Sequence, residues 1–340
     1  MITRVGINGF GRIGRNFYRA LNKRQFEGRN KDIKVVAIND LADNHTLAYL
    51  LKFDSILGVM PIEVYSEGKN TIVVGKDKIH SLSIKETPIS LPWDKLGVDI
   101  VIESSGLFTK SPKVREHLSS GAKKVIISAP SSEVDTTIVF GVNNYSYDGS
   151  QNIISNASCT TNCLAPLAKV LNQEFGIYRG FVTTIHSYTQ EQNLQDGPHK
   201  DLRRARAAAL NIVPTYTGAA KTIGLVLPEL QDKLDGYAIR VPTPTGSILD
   251  MTVVLSKLSS VKDINQAMQN AASSSMHGIL KYYEGPIVSS DIITNPHSSI
   301  LDAELTSVIH DQAKVVAWYD NEWGYANRLI DLVSLISKSL

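Results

Sequence analysis

Arg4-Val5-Gly6-Ile7-Asn8-Gly9-Phe10-Gly11-Arg12-Ile13-Gly14 decides how the first half of this 340-residue chain folds. Arg4 to Asn8 reads as a short buried strand. Ile13, Phe17, Ala20 and Leu21 then recur at the spacing of one helix face. Three glycines punctuate the join. Gly9 permits a tight turn, Gly11 lets a pyrophosphate approach the backbone, and Gly14 allows the helix to pack closely on the strand. The first turn of such a helix presents unpaired N–H groups and a partial positive charge to a phosphate.

Ile33-Lys34-Val35-Val36-Ala37-Ile38 forms the second strand, and Asp40 ends it, 26 positions after Gly14 (40 − 14). An acid about 20 residues past the glycines bonds an adenosine ribose. A carboxylate there also repels a 2′-phosphate, which favours NAD over NADP. The plainer alternative is that Asp40 only caps or terminates the strand.

Strand-like runs continue at 99–105, 124–129, 136–142 and 152–156, with helical stretches near 44–52 and 114–119. The expected fold class is α/β. An N-terminal Rossmann doubly wound parallel sheet carries its ligands at the carboxyl ends of the strands. Runs at 237–241, 247–256 and 313–319 are richer in β-branched residues and predict an α+β catalytic domain with a mostly antiparallel sheet. The domains are expected at 1–158 and 159–320. The tail, 321–340, packs back on the first domain as a helix through Leu329, Ile330, Leu332, Val333 and Ile336.

Composition bounds the function. With 43% hydrophobic and 20% charged residues the chain is an ordinary globular one, and a net charge of +2 gives no global reason to bind nucleic acid or an acidic membrane. No stretch approaches the ~20 apolar residues of a membrane span. The first residues run straight into a strand, so a secretory signal is not expected. Two cysteines, Cys159 and Cys163, make no disulfide framework and have no further cysteine to complete a metal site. The expectation is a cytoplasmic enzyme without a metal.

The reacting centre reads from Cys159. The residues after it, Asn162 to Leu171, form a buried helix, which places Cys159 near the N-terminus with Ser155, Asn156 or Ser158 as cap. Helix-end N–H groups favour a thiolate and can stabilise an oxyanion. The competing reading is a small buried hydrophobe, and it suits Cys163 better. His186 closes the strand pattern 181–187 and is a candidate base for Cys159, or a structural histidine. Arg203, Arg204 and Arg206 lie in a polar stretch over 188–209, as an anion site or as subunit-contact salt bridges. Pro214-Thr215-Tyr216-Thr217-Gly218-Ala219-Ala220-Lys221 has the hydroxyls and glycine of a phosphate-holding turn before a helix.

Taken with Ser158-Cys159-Thr160-Thr161-Asn162-Cys163, His186-Ser187-Tyr188-Thr189 and Trp318-Tyr319-Asp320-Asn321-Glu322-Trp323-Gly324-Tyr325, these motifs span essentially the whole chain. The sequence closely resembles the phosphorylating, NAD-dependent glyceraldehyde-3-phosphate dehydrogenases. The resemblance implies a glycolytic oxidation of glyceraldehyde 3-phosphate by NAD and inorganic phosphate to 1,3-bisphosphoglycerate, through a Cys159 thioester with His186 as base. It implies NAD contacts at Arg12, Ile13, Asp40, Ser128, Asn321 and Tyr325. Thr189 and Arg240 resemble the pocket for the C3 phosphate. Ser158, Thr160, Arg204, Thr217 and Gly218 match residues that hold inorganic phosphate or share in substrate-phosphate binding. It also implies a homotetramer in which the 188–209 loop shapes a neighbour's cofactor site.

Three positions depart from the common pattern: Glu191 replaces a frequent aspartate, Tyr216 a small residue and Gly197 a leucine. The nearest rival, an erythrose-4-phosphate dehydrogenase, is disfavoured by the intact 217–221 run and Thr189. Nucleic-acid binding is at most secondary, since aromatic–basic RNA motifs are missing.

Overall fold

The computed structural model describes residues 2–110 and 112–340. These fall into two compact units: one made of residues up to 138, 145–157 and 326–340, the other of 139–144 and 158–325.

The first unit is built on a nine-stranded sheet. Its spatial order is Thr136–Thr137, Ile153–Ser155, Lys124–Ile127, Ile100–Glu103, Thr3–Asn8, Ile33–Asn39, Asp77–Leu82, Thr71–Val74 and Val64–Glu67. The first seven are parallel, and the last two join antiparallel. The central strands are buried along nearly their whole length. That is why they read as continuous apolar runs instead of alternating ones.

The antiparallel extension follows from its turns. Gly68 and Gly75 sit at φ +62° and +58°, where a residue without a Cβ reverses the chain at little cost. Two expected elements differ from what the sequence suggested. The strand over 136–142 pairs only at Thr136–Thr137, and 114–119 divides into a 3₁₀ turn, Lys113–Arg115, and an α-helical turn, Glu116–Ser119.

The tail forms the helix Trp323–Ile336, with Leu329, Ile330, Leu332, Val333 and Ile336 fully buried. Within the first unit Arg24 Nη1 pairs with Asp331 at 2.6 Å, and Arg24 Nε donates to Asn327 Oδ1 at 2.9 Å. These bonds tie the tail to the helix Arg12–Phe26, which carries Arg24 in its last turn.

The second unit carries an eight-stranded sheet. Its main path runs Val213–Tyr216, Leu234–Val241, Ile177–Ser187, Ser247–Leu255, Gln312–Tyr319, Ser299–Asp302 and Leu280–Tyr283, with Ser307–Ile309 paired beside Gln312–Tyr319. Two pairs are parallel, Ile177–Ser187 with Leu234–Val241 and Leu280–Tyr283 with Ser299–Asp302; the others are antiparallel. Ser247–Leu255 alternates buried and half-buried residues, as a strand with one covered face must. The helix Cys159–Phe175 packs on this sheet.

Candidate active site

The parallel pairing of Ile177–Ser187 with Leu234–Val241 sets His186 opposite Arg240. Residues in register on neighbouring strands project to one face, so the imidazole and the guanidinium meet by backbone geometry. Cys159 reaches the same place as the first residue of its helix. Ser158 is the N-cap, its Oγ accepting from Thr161 N at 2.9 Å. Ala157, just before it, has φ +55°, an uncommon conformation for a residue with a Cβ. Such strain collects at functional sites.

Cys159 Sγ lies 3.4 Å from His186 Nε2. His186 Nδ1 lies 2.7 Å from the Ser187 carbonyl oxygen and 2.6 Å from Arg240 Nη1. Nδ1 can donate a proton to the carbonyl or accept one from the guanidinium, but not both. Donation leaves the Nε2 lone pair facing sulfur, as a base requires; acceptance turns Nε2–H toward sulfur as a hydrogen-bond donor.

Burial pushes the Cys159 thiol up, against the Arg240 charge and the bonds at the helix start. Burial first and Arg240 second push the His186 imidazole down. The helix-end donors expected to favour a thiolate are present, yet burial is the larger influence. Both neutral forms are favoured in this geometry. Cys163, fully buried, also has its thiol pushed up, chiefly by desolvation.

Tyr319 links the two elements that carry the pair. Its hydroxyl lies 3.0 Å from Thr160 Oγ1 and 2.7 Å from Thr184 Oγ1, and its ring meets His186 edge-on at 5.9 Å between centroids. The sequence places this aromatic at the end of an apolar strand, within the 318–325 motif, but gives it no role. Asn321 is held differently. Its Oδ1 accepts from Ser187 Oγ at 2.9 Å, Ser247 Oγ at 3.1 Å and Gly246 N at 3.2 Å. With the oxygen so engaged, the amide NH₂ remains the group able to donate to a carboxamide oxygen. Tyr325 is buried at the start of the tail helix.

The candidate phosphate residues divide into three sets. Thr189, Arg204 and Arg240 surround the Glu191 carboxylate. Ser158 and Thr160 flank Cys159, with their hydroxyls bonded to Thr161 Oγ1 at 2.8 Å and to Tyr319. Gly218 caps the helix Ala219–Val226, and Thr217 Oγ1 accepts from Ala219 N at 3.3 Å.

In the first unit the fingerprint glycines show three different environments. A Cβ on Gly9, whose φ is +92°, would lie 2.4 Å from Ser105 N, and one on Gly14 would lie 2.5 Å from the Gly9 carbonyl oxygen. A Cβ on Gly11 would meet nothing within 4 Å. Gly11 is also the N-cap of its helix and offers no side-chain bond to the first turn. Open space above uncapped N–H groups is what a pyrophosphate needs, so these residues fit a dinucleotide.

Asp40 Oδ2 accepts from Phe10 N at 2.7 Å and Oδ1 from Ala42 N at 3.1 Å. The aspartate therefore shapes the turn as well as standing at the strand end. Arg12 pairs with Asp54, Ile13 follows it half-buried, and Ser128 sits just past the end of Lys124–Ile127. Beneath the turn, the buried Glu103 carboxylate accepts from Asn8 Nδ2 at 2.6 Å, Ser105 N at 2.8 Å and Ser105 Oγ, and meets His117 Nε2 at 2.9 Å. Trp93 Nε1 donates to His117 Nδ1, which leaves Nε2 as the protonated nitrogen. Among the described residues no group of three or more histidines, cysteines or carboxylates is arranged to hold a metal.

Residues 3–111 match the family model described as glyceraldehyde 3-phosphate dehydrogenase, NAD binding domain, and 158–321 match the corresponding C-terminal domain. The chain is 69% identical to glyceraldehyde-3-phosphate dehydrogenases of Mycolicibacterium smegmatis and Mycobacterium tuberculosis, over all of both sequences in each case. It is 57% identical, again over the whole of both, to glyceraldehyde-3-phosphate dehydrogenase 1 of Streptomyces avermitilis. The thiol, the imidazole and the glycine fingerprint thus stand in a chain that belongs, along its whole length, to the glyceraldehyde-3-phosphate dehydrogenase family.

Proposed function

We propose that this protein oxidises glyceraldehyde 3-phosphate with NAD and inorganic phosphate to 1,3-bisphosphoglycerate, and that Cys159 carries the acyl group. The observation that carries this reading is the 3.4 Å approach of Cys159 Sγ to His186 Nε2 at the start of a capped helix. His186 Nε2 takes the thiol proton as the sulfur–carbon bond to the aldehyde forms. The N–H groups of the first helical turn face the oxygen that becomes negative. NAD, held by Gly9, Gly11, Arg12, Ile13, Gly14, Asp40, Ser128, Asn321 and Tyr325, supplies the hydride acceptor when bound. His186 passes the thiol proton to the oxygen, which becomes a hydroxyl, and takes it back as the thioester appears on Cys159. A phosphate oxygen then attacks that thioester, the carbon–sulfur bond breaks, and the thiolate leaves.

Thr189 and Arg240 hold the C3 phosphate. Ser158, Thr160, Arg204, Thr217 and Gly218 hold the attacking phosphate or share in the first. Cys159→Ser tests the reading: turnover falls to background and rapid alkylation by iodoacetamide disappears. Full activity in that variant refutes covalent catalysis. Phosphate-independent turnover of erythrose 4-phosphate would replace the assignment by the rival activity.

The division into a cofactor domain at 1–158, with 321–340 returning to it, and a catalytic domain at 159–320 belongs to the same proposal. So does a cytoplasmic homotetramer. Phe181, Leu194, Leu202, Leu210, Ile212 and Tyr237 are exposed on the second unit, apolar side chains that a subunit contact would cover. No helix among the described residues is long and apolar enough to cross a membrane. Sedimentation at four times the chain mass supports the tetramer; a monomer refutes it.

A further inference from the structure

The two arginines of the phosphate region already hold an anion. Glu191 Oε1 accepts from Arg204 Nη1 at 2.7 Å, Arg240 Nη2 at 3.2 Å and Thr189 Oγ1 at 3.3 Å. One carboxylate oxygen thus gathers donors from three residues assigned above to phosphate. The arginine side chains are only 16% and 13% exposed, whereas Glu191 is 48% exposed. Two fixed, nearly buried cations face a carboxylate with room to swing out. Arg204 is braced by Nε donating to Thr215 Oγ1 at 2.8 Å, and Arg240 by Nη1 donating to the Ser187 carbonyl oxygen at 3.1 Å. Arg240 Nε is buried and has no hydrogen-bond partner. The cradle therefore stays in place and short of one acceptor when the carboxylate leaves.

We propose that Glu191 is a resident counter-anion of the C3-phosphate pocket, displaced by the substrate's phosphate on binding, and so a residue that sets specificity for phosphorylated over uncharged aldehydes. The inference rests on the phosphate-pocket reading above. A tetrahedral dianion offers the same donors more acceptor oxygens and more charge than one carboxylate, so it wins the exchange. An aldehyde without a phosphate leaves Glu191 where it is. The exchange also takes place one guanidinium away from the base, since the other end of Arg240 touches His186 Nδ1.

The test compares wild type with Glu191→Gln and Glu191→Asp. It reads kcat and KM for glyceraldehyde 3-phosphate, kcat/KM for glyceraldehyde, and the Kd of sulfate by calorimetry. Gln keeps the shape and removes the competing charge. It is expected to lower KM for the phosphorylated aldehyde and Kd for sulfate by about tenfold, the factor that ~1.4 kcal/mol represents. With glyceraldehyde, kcat/KM stays within about twofold of wild type. Asp keeps the charge but is a methylene shorter, and shifts both constants about threefold in the same direction.

Unchanged or weakened sulfate and substrate binding in Glu191→Gln overturns the proposal. So does a Glu191→Asp protein identical to wild type beside a tightened Glu191→Gln, because the effect would then be charge acting at a distance. Loss of the functional reading looks different. Wild type would then turn over no phosphorylated aldehyde, while the sulfate titrations would still show whether Glu191 competes.

Discussion

Replacing Tyr319 by Phe removes one buried oxygen and leaves the ring in place. That oxygen bridges Thr160, in the first turn of the helix that begins with Cys159, and Thr184, on the strand that ends in His186. Thr184 Oγ1 keeps only a weak alternative, the Ile248 carbonyl oxygen at 3.4 Å. Burial pushes the Tyr319 hydroxyl far above the ordinary phenol range, so the bridge persists throughout the working pH range. Two hydrogen bonds at about 1 kcal/mol each, with two threonines left in a dry site, give a loss of about 2 kcal/mol.

For 340 residues, at about 2.1 cal/mol/K of unfolding entropy each, that corresponds to a Tm lower by roughly 3 °C in scanning calorimetry. The edge contact between the ring and His186 survives, so kcat should fall less than about tenfold, through a looser thiol–imidazole distance. A Tm within about 1 °C of wild type would refute the bridging role. A loss of kcat beyond about a thousandfold would mean that the hydroxyl takes part in the chemistry itself.

Gly11→Ala should fold normally, because its Cβ meets nothing, yet weaken NAD at least tenfold in a fluorescence titration; Gly14→Ala, 2.5 Å from a carbonyl oxygen, should lose both binding and Tm. Retained NAD affinity in Gly11→Ala counts against the fit. His186 has its pKa depressed by burial to about 3, so it stabilises the fold above its unfolded value near 6.5. That contribution is lost as pH falls from about 6.5 towards about 3, with a slope approaching 1.4 kcal/mol per unit. Urea melts at several pH values should show a shallower acid loss in His186→Asn than in wild type; parallel losses would refute the assignment. Glu103→Gln turns a four-donor acceptor into a group that is itself a donor, inside a buried network. It should cost about 3 kcal/mol in denaturant melts, and a neutral result would discount the network.

Much of the first unit was legible because its signals are local. A buried strand, three glycines and a helix face lie within about 20 residues, and each glycine's environment follows from that order. Cys159 was readable for the same reason: the helix behind it is apolar and Ser158 is a natural cap. The strands within 64–82 escaped notice because they are short and, apart from Thr71–Val74, mostly polar and incompletely covered, a weak pattern beside the buried strands. Tyr319 escaped because its partners, Thr160 and Thr184, lie far away in sequence and a strand tyrosine is usually plain core. Glu191 was visible only as a departure from a common aspartate. Its grip on Arg204 and Arg240 depends on strand pairing and loop placement that no spacing encodes.

His186 and Arg240 share one rung of a parallel ladder. Their alignment is consequently inherited from main-chain bonds, and the alternating pleat makes it indifferent to what the surrounding loops do. Segment 188–212 can lengthen, shorten or change composition without turning either side chain away from Cys159. A single residue inserted between 177 and 186 would flip the imidazole to the opposite side of the sheet. Variation in chain length after Ser187 should therefore leave the His186–Arg240 alignment intact even where it displaces Thr189, Glu191 and Arg204, whereas one residue inserted just before His186 removes the imidazole from the site.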